Sequence, residues 1–251
     1  MARRPSEVPT AVRAELDAGT RETANLAEAL AVDFAALADA AGLPAAIGSA
    51  LRDASGEGVT RRVRLAGELL LDHAGASSLD RFAGHPSDTV RSWACYAIAA
   101  HARGDLAGIL GRLQPLADDH HFGVREWAWL AVRDEIARSV GAAIALLAPW
   151  AGDSSANIRR FASEATRPRG VWCVHLPELK GEPEIGLPLL EPLRADASKY
   201  VQDSVANWLN DASKTRPDWV VETTDAWLRA EPGNPATTRI AKRARRSIER
   251  G

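Results

Sequence analysis

Apolar and polar positions along the chain follow helical periods, and one short phrase recurs. It runs aliphatic residue, basic or polar residue, then a helical stretch with an aromatic and an alanine. It stands at Val90-Arg91-Ser92-Trp93-Ala94, Val124-Arg125-Glu126-Trp127-Ala128 and Ile158-Arg159-Arg160-Phe161-Ala162, and more loosely at Val201-Gln202-Asp203-Ser204-Val205. Successive first residues are 34, 34 and 43 positions apart. A period of that length with helical filling predicts stacked helix pairs, an all-α solenoid of HEAT-like repeats. Elements are expected at about 106–117, from Val124, at 141–150, from Asn157, at 186–195, 200–214 and 217–230, and from Pro235. Residues 21–41 read as one amphipathic helix closed by Gly42-Leu43-Pro44, and a weaker repeat opens at Val59 after the Gly56-Glu57-Gly58 loop. Residues 168–185 read as a long loop, functional or mobile. No strand pattern is present. The expectation is one domain over residues 1–251, with 1–60 as atypical capping helices and 61–251 as repeats.

The repeat acts as a ruler. With the phrase's first residue as position 0, positions 0, 4 and 7 or 8 are apolar in every repeat, which marks the packed stripe. Positions 2, 6 and 9 share a second stripe, since about 100° per residue brings them together. There stand Ser92, Tyr96 and Ala99; Glu126, Leu130 and Arg133; Arg160, Glu164 and Arg167; Asp203, Asn207 and Asn210. The second helix of a solenoid pair usually lines the concave side, so this stripe is a candidate ligand groove. An ordinary solvated helix face shows the same pattern, because exposed Glu and Arg need no ligand. Arg91, Arg125 and Arg159, at position 1, suit bridging between repeats. Trp93 and Trp150 suit the core.

Composition narrows this picture only in places. The 251 residues are 46% hydrophobic and 25% charged, and eight of the fourteen aromatics are Trp, as expected of a soluble globular chain. Two cysteines make neither a disulfide framework nor a zinc site, and no metal or cofactor is expected. The absence of a long apolar run or signal segment gives the expectation of a cytoplasmic protein without a membrane partner. Net charge is −2, so the whole chain is not basic, but Arg239 to Arg250 holds six basic residues and one acid, Glu249.

Three strings carry a family resemblance over roughly residues 88–230. They are His120-His121-Phe122-Gly123-Val124-Arg125-Glu126-Trp127-Ala128-Trp129, the run from Asn157 to Trp172, and the run from Tyr200 to Pro217. They resemble the DNA alkylation repair glycosylases of the AlkC type, and the last also resembles the related AlkD type. The resemblance implies a concave face that grips double-stranded DNA containing alkylated bases. It also implies monofunctional hydrolysis of the N-glycosidic bond of cationic N3-methylated bases, 3-methyladenine or 3-methylcytosine, without flipping the base into a pocket. Stripe carboxylates suit that chemistry, because positive charge develops on the sugar as the base leaves. Glu126, Glu164 and Asp203 are therefore the expected catalytic residues. Trp127, Trp129, Trp172 and Trp208 are the expected substrate-binding aromatics. Arg160, Arg167, Arg169, Lys199, Lys214, Arg239, Lys242 and Arg243 are expected on DNA phosphates. The AlkD-type Trp/Asp phrase is absent, with Glu126 and Trp129 in that region, which favours the AlkC type. No appended β-sandwich is expected after the repeats, and a monomer is expected. A non-catalytic repeat scaffold for DNA or protein is the alternative.

Overall fold

Each recurring phrase opens on the third residue of a helix, and the four helices start at the spacing of the phrases: Asp88, Phe122, Ala156 and Lys199. In the computed structural model, residues 4–248 are described, so Glu249 and Arg250 lie outside the described residues. The helices are α1 (Thr10–Asp17), α2 (Leu26–Ala31), α3 (Phe34–Ala40), α4 (Ala45–Asp53), α5 (Val59–Ala74), α6 (Leu79–Ala83), α7 (Asp88–His101), α8 (Leu106–Ala117), α9 (Phe122–Arg138), α10 (Val140–Leu147), α11 (Ala156–Ala165), α12 (Pro177–Gly181), α13 (Leu187–Leu190), α14 (Lys199–Ala212), α15 (Pro217–Ala230) and α16 (Pro235–Ala244). No strand occurs among the described residues. Contacts divide the chain within α9 into two compact units, Met1–Ala131 and Val132–Gly251.

In the first unit α7 packs against α5, α6 and α8. Positions 0, 4, 7 and 8 of its phrase, Val90, Ala94, Ala97 and Ile98, are all buried. Burying each aliphatic side chain of this kind contributes about 1.5–3 kcal/mol. Gly67 of α5 lets α7 approach closely: a Cβ there would lie 2.5 Å from the Tyr96 Cβ. The N-terminal segment packs onto α7. Thr23 gives its backbone N–H and hydroxyl to Asp88, and the Phe34 ring packs 5.3 Å from that of Trp93. The single helix expected over 21–41 is two. Val32 is extended, and Asp33 caps α3 by accepting from the N–H groups of Ala35 and Ala36, so the chain breaks there. Gly42, at φ +74°, ends α3 as expected.

In the second unit α14 is central, packed on α11 and α16. Val201, Val205, Trp208 and Leu209 are fully buried on it. The 168–185 stretch is not one long loop. It holds α12 and enters a 3-10 turn at Pro183–Gly186, leaving an irregular segment only from Arg167 to Leu176.

Position 1 is a bracing position. Arg91 donates to the carbonyls of His85 and Pro86, Arg125 to those of Asp119 and His120, and Arg159 to those of Asp153 and Ser154. Each reaches back five and six residues to its own preceding loop. Gln202 does the same once, to Asp196. The residue five before each phrase folds that loop by accepting the N–H two residues on: His85, Asp119, Asp153 and Asp196. Arg91 also binds Asp119 at 2.9 Å, and Arg159 binds Asp196 at 2.7 Å. Those two arginines thus bridge successive repeats, as their position suggested.

Candidate nucleic-acid interface

The stripe at positions 2, 6 and 9 is neither an open charged groove nor a solvated face over most of its length. Ser92, Tyr96, Leu130, Arg133, Arg160, Glu164 and Asn210 are buried. A charge taken out of water must be paired or hydrogen-bonded to persist: Arg160 and Glu164 pair with each other, and Arg133 is held by backbone carbonyls.

In the first unit Glu126 is half-buried, and the Trp129 indole N–H donates to its carboxylate at 2.8 Å. The two residues are three apart on α9, so one helical turn sets the contact. Trp129 is only 4% exposed, and its ring does not offer a free face. That corrects its expected role as a substrate platform: its contribution is the N–H that orients Glu126. Trp127 is half-buried and lies against Tyr96, ring centroids 6.2 Å apart.

In the second unit Glu164 is 5% exposed. Arg167 binds one of its oxygens at 2.7 Å, and the Ser204 hydroxyl donates to the other at 2.7 Å. Arg160 stands 3.6 Å away, with its guanidinium over the Tyr200 ring. Burial alone would push the Glu164 carboxyl up, but Arg160, Arg167 and the Ser204 hydroxyl outweigh it and hold the carboxyl below its usual range. Arg167 continues to Asp211 at 2.8 Å, and these two carboxylates, against the cost of burial, hold its pKa above normal. Arg160 and Arg167 are thus committed to this network rather than presented to phosphate.

Asp203 differs. Its side chain is 41% exposed, and two residues of α16 reach it, Arg239 at 2.7 Å and Arg243 at 3.1 Å. Trp208 is 0% exposed, with its N–H on Thr166 and its ring filling the space above Gly186. It is core, not an aromatic wall, because it occupies position 7 of the packed stripe. Trp172 is 51% exposed. Among the expected phosphate contacts, Lys199, Lys214 and Lys242 are exposed and Arg169 is half-buried, donating to the Asp211 carbonyl.

Sequence reasoning missed two residues. Arg133 is fully buried and spends its guanidinium on three carbonyls, Ala165 (2.5 Å), Arg167 (2.6 Å) and Val174 (2.9 Å). Burial pushes its pKa down. Its place on a stripe with buried neighbours was the available signal. Ser204 stands where the other phrases carry Trp93, Trp127 and Phe161. The loss of the aromatic was the signal, since only a small hydroxyl there leaves room for Glu164.

No family model matches the chain. A curated relative, the uncharacterized protein YhaZ of Bacillus subtilis (strain 168), is 45% identical over 89 residues, which are 36% of this chain and 24% of that protein. Among solved structures, the Pseudomonas fluorescens alkylpurine DNA glycosylase AlkC, bound to DNA containing an abasic site analog, matches 99% of this chain at 25% identity with a TM-score of 0.71. This chain spans 66% of that one. AlkD2 from Streptococcus mutans matches 80% of this chain and 96% of its own at 21% identity and a TM-score of 0.61, a likeness of fold. The protein smu.31 from Streptococcus mutans UA159 matches 79% of this chain with a TM-score of 0.60. The chain is thus similar over essentially its whole length to the AlkC-type alkylpurine DNA glycosylases, and it shares its all-helical repeat fold with AlkD2.

Proposed function

We propose that the protein is a DNA alkylation repair glycosylase, hydrolysing the N-glycosidic bond of cationic N3-methylated bases such as 3-methyladenine and 3-methylcytosine in duplex DNA. The observation that carries this reading is the likeness, over 99% of the chain, to a glycosylase solved on DNA with an abasic site analog. Abasic DNA is what base excision leaves behind.

The chemistry asks little of an acid. A methylated base already carries positive charge and leaves readily, so the protein's task is to stabilise charge on the sugar and to place a water. Glu126 of the first unit and Asp203 of the second are each a candidate for that task. Both have solvent access, and both are oriented before substrate arrives, Glu126 by the Trp129 N–H and Asp203 by Arg239 and Arg243. Glu164 holds Arg160 and Arg167 in place rather than meeting the sugar, since its two oxygens are engaged. Arg239 and Arg243 each carry several donors, so one guanidinium can hold Asp203 and a phosphate together. Arg169, Lys199, Lys214 and Lys242 supply further phosphate contacts, and Trp127 and Trp172 the aromatic ones. The protein acts on DNA as a monomer without a cofactor.

Chromatography of bases released from methylated duplex DNA tests the reading. Glu126→Gln and Asp203→Asn should each lower the rate by about an order of magnitude or more. Near-wild-type release by both folded variants would overturn the assignment. A non-catalytic repeat scaffold is the second reading, favoured by the internal pairing of Arg160, Glu164 and Arg167. Binding to abasic duplex with no base release over hours would establish it.

A further inference from the structure

α16 lies along α14 and is fixed there by its packed side. Ile240, Ala241 and Ala244 are buried, and the Asn210 amide donates to the Ala244 carbonyl at 3.0 Å. The fixed helix aims two arginines one turn apart, Arg239 and Arg243, at a single carboxylate oxygen. Arg239 donates to Oδ1 of Asp203 at 2.7 Å and to the Gln202 side-chain oxygen at 3.3 Å. The Nε of Arg243 stands 3.1 Å from the same Oδ1. That nitrogen is shielded from water and makes no hydrogen bond among the described residues, so charge rather than an aligned bond holds it there. Asp203 and the two arginines keep partial solvent access.

Two arginines against one aspartate leave one positive charge over, and a guanidinium does not lose its proton in a protein. The surplus has the wrong sign for the reaction. It repels a cationic base and the positive charge that develops on the sugar as the base leaves. In the free protein Asp203 is therefore oriented but electrostatically silent. A phosphate reverses this. The two guanidiniums carry more donors than one carboxylate oxygen can accept, so a phosphate can bind them without dislodging Asp203. Its negative charge cancels the surplus and removes the repulsion.

We propose that Arg239 and Arg243 gate Asp203: the carboxylate acts on the sugar only while a backbone phosphate of the DNA occupies the two guanidiniums. The substrate class is then a polynucleotide with a charged linkage at one fixed place beside the damaged nucleotide, and free cationic nucleosides are left alone. Arg239 and Arg243 are positioning residues, since neither meets the reacting atoms. The inference rests on the glycosylase reading above and takes Asp203 as the acting carboxylate.

The test measures base release from methylated duplexes in single turnovers at saturating protein, so that chemistry is read apart from binding. Linkages flanking the damaged nucleotide are replaced one at a time by a neutral methylphosphonate. In the wild type one linkage should lower the saturated rate about tenfold or more, the scale of losing one electrostatic contributor. With Asp203→Asn the same replacement should change the rate less than about twofold, because no carboxylate is left to unmask. Arg239→Gln combined with Arg243→Gln should likewise bring the ratio of the two rates close to one. Arg239→Lys combined with Arg243→Lys keeps both charges and should keep the sensitivity. Thermal melting of each variant shows that it is folded. A wild type in which every linkage changes affinity alone overturns the gate and leaves the glycosylase reading standing, and so does a glutamine double variant that stays sensitive. Failure of the wild type to release any base from the unmodified duplex overturns the glycosylase reading, and the gate falls with it.

Discussion

Glu164→Gln separates the two jobs a buried carboxylate can do. The substitution keeps the shape of the side chain and removes its charge. It leaves Arg160 and Arg167, both largely buried, facing a neutral amide. Breaking a buried pair by removing one partner costs about 3–5 kcal/mol. Here Arg167 keeps Asp211 at 2.8 Å and Arg160 keeps the Tyr200 face, so the loss should fall to about 2–3 kcal/mol. For a chain of this size that is a fall in Tm of roughly 5–10 °C, read by differential scanning fluorimetry at pH 7. The pH dependence gives a second check. The folded-state pKa of Glu164 lies below its ordinary value of 4.5, so its stabilisation is complete above about that pH and is lost as pH falls further. The gap between wild type and Glu164→Gln should therefore hold from neutral pH to about 5 and close below 4.5. A Tm shift under about 1 °C, or a gap unchanged through pH 3, would refute the account of a buried, charge-compensated network.

Three further outcomes follow from the packing. Arg159→Ala and Asp196→Ala should show a coupling of about 1–2 kcal/mol in a double-mutant cycle by urea unfolding, because the pair bridges two repeats; additivity would show that it does not. Gly67→Ala should destabilise by about 2–3 kcal/mol, since the new Cβ meets the Tyr96 Cβ at 2.5 Å and the Trp93 carbonyl at 2.7 Å; an unchanged urea midpoint would contradict the close α5–α7 approach. Trp172→Gly should leave stability unchanged or raise it by up to about 1 kcal/mol, as the left-handed strain at φ 62° disappears; a clear loss would mean that the exposed ring is packed.

The sequence by itself determined the repeat and its register. Apolar side chains at positions 0, 4, 7 and 8 must face the packing partner, so a 34-residue period in them places helix starts, the packed stripe and the bracing arginines without any coordinates. It also carried the family likeness, since long strings such as the one from Asn157 to Trp172 survive where single residues would not. Only the tertiary structure decided which polar residues meet water. Helical angle puts Glu126, Glu164 and Asp203 on one stripe, but burial depends on the partners each one meets in space. Glu164 meets Arg160 and Arg167 of its own repeat and Ser204 of the next, and it closes; α16 reaches Asp203 only with arginine tips, and it stays open. Trp208 went to the core for the same reason, because Gly186 leaves it a space. Arg133 was the least visible, since its partners are backbone carbonyls, and a carbonyl leaves no mark in a sequence.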